Sequence, residues 1–169
     1  SRITTINKGA WESGRIHVRA SLPTARGTWP AIWMLPDVER LSWPEDGEID
    51  IMEHVGFKEG TIFGTIHTEK FNHFIGTQKI DSISINDVSQ FHDYILEWEK
   101  DQLTWIVDDE SYHVLNRNGE DKGGWPFDQP FYLILNLAIG GNWGGQYGVD
   151  STAFPQKMEI EFVRIYQKN

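Results

Sequence analysis

Apolar and polar residues alternate with a period of two along most of this chain. Between positions 15 and 22, Ile16, Val18, Ala20 and Leu22 interleave with Arg15, His17, Arg19 and Ser21. That is the pattern of a strand with one face in a core and the other in water. Runs rich in β-branched and aromatic residues at 29–35, 61–68, 94–99, 103–107, 112–115, 131–139 and 158–167 predict further strands. Turn formers separate them, among them Pro23, Gly27, Pro36, Asn72, Asp101, Asn118-Gly119 and Gly140-Gly141. The run 131–139 is almost wholly apolar and predicts a central strand covered on both faces. Its one polar residue, Asn136, must find hydrogen-bond partners. A turn near 86–90 is the single helical candidate. Many short strands at close spacing predict an all-β, two-sheet sandwich or jelly roll, built as one domain over 1–169.

One strand conflicts with its own pattern. Residues 48–53 read Glu-Ile-Asp-Ile-Met-Glu. Strict alternation would put Glu48 and Asp50 on the face opposite Ile49 and Ile51, and would drive Glu53 into the core, where an unpaired carboxylate costs several kcal/mol. One extra residue at Ile51-Met52, a β-bulge, returns Glu53 to the acidic face. The expectation is therefore a bulged strand presenting Glu48, Asp50 and Glu53 in one row. Crowded carboxylates split their pKa values. Retaining glycosidases need that split, with one carboxylate ionised to attack and another protonated to donate, roughly 5–5.5 Å apart. On this segment alone, a solvated acidic edge or a cation site stays open as the competing reading.

Composition narrows the choice. A net charge of −10 and a pI near 4.9 argue against nucleic acid or an anionic membrane as partner. The absence of cysteine excludes disulfides and thiolate metal sites. No apolar run has membrane-spanning length, and the first residues do not read as a signal peptide. Eight Trp, nine Phe and five Tyr exceed what a core of this size needs, and the flat C–H faces of sugar rings stack on indole. Trp29 and Trp33 share a strand face with Ala31 between them, Trp43 lies in a Pro-containing loop before the acidic strand, and Trp143 sits in a Gly-rich loop. These four are candidates to line a groove. Trp98 and Trp105 alternate within paired strands and read as core, and His54 faces away from the acids as a structural residue. Zinc, EF-hand, phosphate-loop and nucleophile-elbow motifs are absent.

The ordered segments Gly14-Arg-Ile-His-Val-Arg-Ala-Ser-Leu-Pro23, Gly27-Thr-Trp-Pro-Ala-Ile-Trp-Met-Leu35, Trp43-Pro44, the acidic hexapeptide, Gly64-Thr-Ile-His67, Phe91-His-Asp-Tyr94, Asn136-Leu-Ala-Ile-Gly-Gly-Asn-Trp143 and Met158-Glu-Ile-Glu-Phe-Val-Arg-Ile-Tyr-Gln167 resemble glycoside hydrolase family 16. Within it they resemble the laminarinase-like endo-β-1,3-glucanases, over essentially the whole chain. The resemblance implies a concanavalin-like β-jelly-roll with a concave substrate cleft and retaining endo-hydrolysis of β-1,3-glucan, laminarin-like or of mixed linkage. It implies Glu48 as nucleophile, Asp50 as its electrostatic helper and Glu53 as general acid/base. The extra residue before Glu53 is the laminarinase-like form. His67, by its position, would touch sugar hydroxyls or a catalytic carboxylate, and Asn136 would meet sugar hydroxyls. The implied protein is secreted, needs no cofactor, and binds β-glucan rather than nucleic acid or membrane. The alternatives are a transglycosylase, a hydrolase of agarose or carrageenan, or a non-catalytic carbohydrate-binding module, though such a module has no use for both glutamates.

Family domains normally carry strands before the segment matching Ser1-Arg-Ile-Thr-Thr. The expectation is thus a sandwich incomplete at its N-terminal side, with exposed edges and the missing strands either supplied by a second polypeptide or lying outside this sequence. Many members hold a structural calcium on the convex side. Glu161 occupies the last-strand position of that site, so calcium is implied only together with the N-terminal ligands.

Overall fold

The alternating runs form two antiparallel sheets that face one another. The computed structural model describes residues 1–168. In chain order the strands are β1 (Arg2–Thr4), β2 (Gly14–Ser21), β3 (Thr28–Pro36), β4 (Glu48–Glu53), β5 (Thr61–His67), β6 (Lys79–Ser84), β7 (His92–Glu99), β8 (Gln102–Val107), β9 (Glu110–Asn116), β10 (Phe131–Ile139) and β11 (Glu159–Tyr166). One sheet has the order β1-β10-β3-β4-β5-β6 and the other β11-β2-β7-β8-β9. This is the expected jelly-roll sandwich. No helix among the described residues is long and apolar enough to cross a membrane.

The core lies between the sheets. Ile16, Val18 and Ala20 of β2 are buried, as their alternation required, and meet Ile32 and Met34 of β3. Trp98 and Trp105 are buried there too. Each indole N–H finds a carbonyl, as a buried tryptophan must: Trp98 donates to Phe127 at 3.1 Å and Trp105 to Asp50 at 2.8 Å.

Two expectations need correction. The segment 86–90 is a tight turn rather than a helix, because the Asp87 carboxylate accepts from the Ser89 backbone and hydroxyl and so competes with helical bonding. The short helical turns are instead the 3₁₀ segments Gly56–Lys58 and Ser151–Ala153. The strand β10 is covered on both faces only over its first half. It lies next to the edge strand β1, and Ile139 is 49% exposed. Along the side where β1 and β11 end the two sheets, Ile3, Leu135, Leu137, Met158 and Ile160 line an apolar seam, with Ile3 exposed.

Candidate active site

The bulge lies where the sequence conflict put it. Asp50 pairs with Trp33 and Met52 with Ile32, so β4 spends two residues where β3 spends one. On the other flank Asp50 pairs with Thr65 and Glu53 with Phe63, three steps against two. Ile49, Ile51 and Met52 are therefore all buried, and Glu53 returns to the side of Glu48. The kink is held from below, since the indole that donates to the Asp50 carbonyl belongs to β8 of the opposite sheet. Gly64 on β5 makes room for that indole. A Cβ there would stand 2.5 Å from the Trp105 ring and 2.6 Å from the Tyr112 hydroxyl.

Above the bulge the six-stranded sheet carries a cleft with two lobes. One, of about 300 Å³, is lined by Trp33, Trp43, Asp50 and Asn136; the other, of about 570 Å³, by His67, His73, Phe74 and Trp143. Trp29, Glu48, Glu53 and His73 belong to both, so the two glutamates stand where the lobes meet. Each has its own indole donor. Trp43 Nε1 donates to Glu48 Oε2 at 2.7 Å, and Trp29 Nε1 donates to Glu53 Oε1 at 3.0 Å. Trp33 Nε1 donates to Asn136 Oδ1 at 2.6 Å, which supplies the partner a polar residue on β10 requires. Trp143 closes edge-on against Trp29, with ring centroids 5.5 Å apart. All nine residues singled out as catalytic or sugar-binding thus come together in one trough.

The three acids differ in electrostatic setting. Burial raises Glu48, while hydrogen bonding to Asp50 and Trp43 opposes the rise. Burial pushes Glu53 up to about 7, against the pull of the Trp29 N–H and with help from the Glu48 charge. Asp50 lies well above the ordinary carboxylate range, first through burial and then through the charges of Glu48 and Glu53. At mildly acidic pH this orders the protons: Asp50 and Glu53 keep theirs and Glu48 is the readiest to ionise.

His67 is neutral under the same conditions, its imidazole pushed down to about 4 by burial and by His73. Its Nε2 lies 3.5 Å from Asp50 Oδ2. His54 is fully buried with neither ring nitrogen partnered. Glu161 accepts from Arg19 Nε at 2.8 Å, so a guanidinium already neutralises the acid on which the calcium expectation rests. Sequence reasoning missed His73 and Phe74. They sit in a loop after β5 and pack on Trp43, at 5.2 and 5.1 Å between ring centroids. A loop has no periodicity to flag them; the one available signal was two aromatic rings beside the Asn72 turn.

The profile of glycosyl hydrolases family 16 matches residues 1–164. A beta-glucanase of Rhodothermus marinus is 48% identical over 176 residues, covering 99% of this chain and 62% of that protein. This chain therefore spans less than two thirds of that relative's length. The solved laminarinase from Rhodothermus marinus superposes with a TM-score of 0.95 at 47% identity, over 98% of this chain and 70% of that one. A variant of SCLam, a non-specific endo-beta-1,3(4)-glucanase, co-crystallised with 1,3-beta-D-cellotriosyl-glucose and presenting 1,3-beta-D-cellobiosyl-glucose at its active site, superposes with a TM-score of 0.94 at 47% identity, over 99% of this chain and 65% of that one.

Proposed function

This chain belongs to glycosyl hydrolase family 16, and from that premise we propose that it is the catalytic part of a retaining endo-β-glucanase acting on β-1,3-glucan, including mixed β-1,3(4) chains. The observation that carries the reading is the bulged strand, which brings Glu48 and Glu53 onto one cleft floor with separate indole donors and unequal proton affinities.

The chemistry follows from those differences. Glu48, held ionised by Trp43 and by the proton of Asp50, attacks the anomeric carbon and forms a glycosyl ester. The glycosidic C–O bond breaks as Glu53 transfers its proton to the leaving oxygen. Glu53, now ionised, takes a proton from water, whose oxygen attacks the same carbon and frees Glu48 with configuration retained. Family 16 glycosidases need no cofactor for this. The indoles of Trp29, Trp33, Trp43 and Trp143 supply flat faces for the sugar rings on both sides of the scissile bond. We place secretion in the same proposal, because an enzyme attacking the interior of a polysaccharide must work where the polymer is.

The test is direct. Glu48→Gln should abolish release of reducing ends from laminarin while leaving the fold and oligosaccharide binding in place. Turnover within a few-fold of the parent would remove Glu48 as nucleophile. Chromatography of products from laminarin and lichenan separates β-1,3 from mixed-linkage action, and agarose as a third substrate checks the competing hydrolase.

A further inference from the structure

We infer that the cleft floor is also a zinc site, in which Glu48, Asp50 and His67 hold one Zn²⁺ ion that excludes the sugar chain. The three residues each bring one ligand atom to within 4.8 Å of the others. His67 Nε2 and Asp50 Oδ2 are 3.5 Å apart. That separation is long for a hydrogen bond. It matches an edge of a coordination tetrahedron, since bonds of about 2.0–2.2 Å at the tetrahedral angle separate two ligands by roughly 3.3–3.5 Å.

A second observation points to a ligand. Asp50 is 3% exposed, yet no donor reaches its Oδ2. Buried polar atoms are ordinarily satisfied, and the unsatisfied carboxylate oxygen faces the imidazole across the gap an ion would fill. Glu48 completes the set. Its Oε2 is engaged by Trp43, and the carboxylate can turn its other oxygen towards the ion. One imidazole and two carboxylates suit Zn²⁺; Ca²⁺ wants six to eight oxygens. The fourth position opens on the cleft, where a sugar oxygen would otherwise lie.

Elsewhere in the described residues, histidine meets carboxylate only pairwise. His17 bonds Asp93 at 2.7 Å, His92 bonds Asp108 at 2.8 Å, and His113 stands 4.0 Å from Asp81. None of these adds a third ligand, which makes them internal controls.

The experiment is calorimetric titration of ZnCl₂ into chelator-stripped protein, which reads binding without relying on turnover. One ion should bind per chain. His67→Ala and Asp50→Asn should each weaken it by about tenfold or more, whereas His17→Ala and His92→Ala should leave it unchanged. Because His67→Ala could also unfold the floor, a second measurement uses Glu53→Gln protein, which keeps all three ligands. There a saturating β-1,3-glucan oligosaccharide should suppress the zinc heat. No zinc uptake, uptake indifferent to His67 and Asp50, or uptake unaffected by the oligosaccharide would each overturn the inference. The glucanase reading stands apart from this: zinc can bind as described in a protein that leaves laminarin intact, and laminarin can be cleaved by a protein that ignores zinc.

Discussion

Replacing Trp29 by Phe removes one hydrogen bond and keeps an aromatic ring beside Trp143. The bond lost is the indole N–H to Glu53 Oε1, at 3.0 Å. It favours the ionised form of the acid and so holds down a pKa that burial has pushed up to about 7. A hydrogen bond to a charged group contributes about 1.5–3 kcal/mol, and one pKa unit corresponds to about 1.36 kcal/mol. The full effect would be one to two units upward. Water in the open cleft takes over part of the vacated donor role, which sets the expectation at about one unit. Since Glu53 must be protonated to donate, the basic limb of kcat/KM against pH reports its ionisation in the free enzyme. That limb should move to higher pH in Trp29→Phe, while the acidic limb, which reports Glu48, stays in place. Trp33→Phe is the control, because that indole bonds Asn136 and not an acid. A basic limb unmoved or shifted downward would show that Trp29 acts on the sugar alone, and the tuning argument would fail.

Three further outcomes follow from the same geometry. Glu53 is raised in the folded state, so its contribution to stability is complete below the unfolded value near 4.5 and is lost as pH rises through about 7; relative to Glu53→Gln, the parent should lose on the order of 3 kcal/mol between pH 4 and 8 in urea titrations, and an equal gap at both pH values would contradict this. His54, lowered to about 4 by burial, has the opposite sign: its contribution is intact above 6.5 and is lost as pH falls through about 4. His54→Leu should therefore flatten the acid side of the melting-temperature profile, and an unchanged acid slope would refute the assignment. Gly64→Ala forces a methyl against Trp105 and Tyr112; we expect a loss of about 1–3 kcal/mol together with a fall in kcat, because the displaced indole holds the Asp50 carbonyl, and stability lost at full kcat would uncouple the two.

Much of this was legible because the chain conflicts with itself at one place. Ile49, Ile51 and Met52 all ask for burial, and the three acids all ask for water or partners. Only an extra residue reconciles them, and the register shows it. What stayed illegible lacks such a conflict. The three residues of β1 are too few to show a period, and β6 reads Lys-Ile-Asp-Ser-Ile-Ser, an edge strand exposed along most of its length, whose polar composition resembles a loop. The partnering of the indoles with individual carboxylates was invisible for another reason. Trp43 and Glu48 are five residues apart but Trp29 and Glu53 are twenty-four, and no local pattern encodes a contact across neighbouring strands. His73 and Phe74 escaped because loops place side chains through tertiary contacts.

The indole that reaches across from the five-stranded sheet to the Asp50 carbonyl divides the labour of the molecule. The carboxylates are anchored from behind, by Trp105 and the glycine that admits it, while the walls that would choose among sugars in the proposed glucanase come from the His73–Phe74 turn and the Trp143 loop in front. Those walls can be rebuilt by evolution or by an engineer without disturbing the acids, so a change of glycan preference should come cheaply here. Repacking the hidden layer beneath, by contrast, would reach the chemistry without altering one residue that a sugar touches.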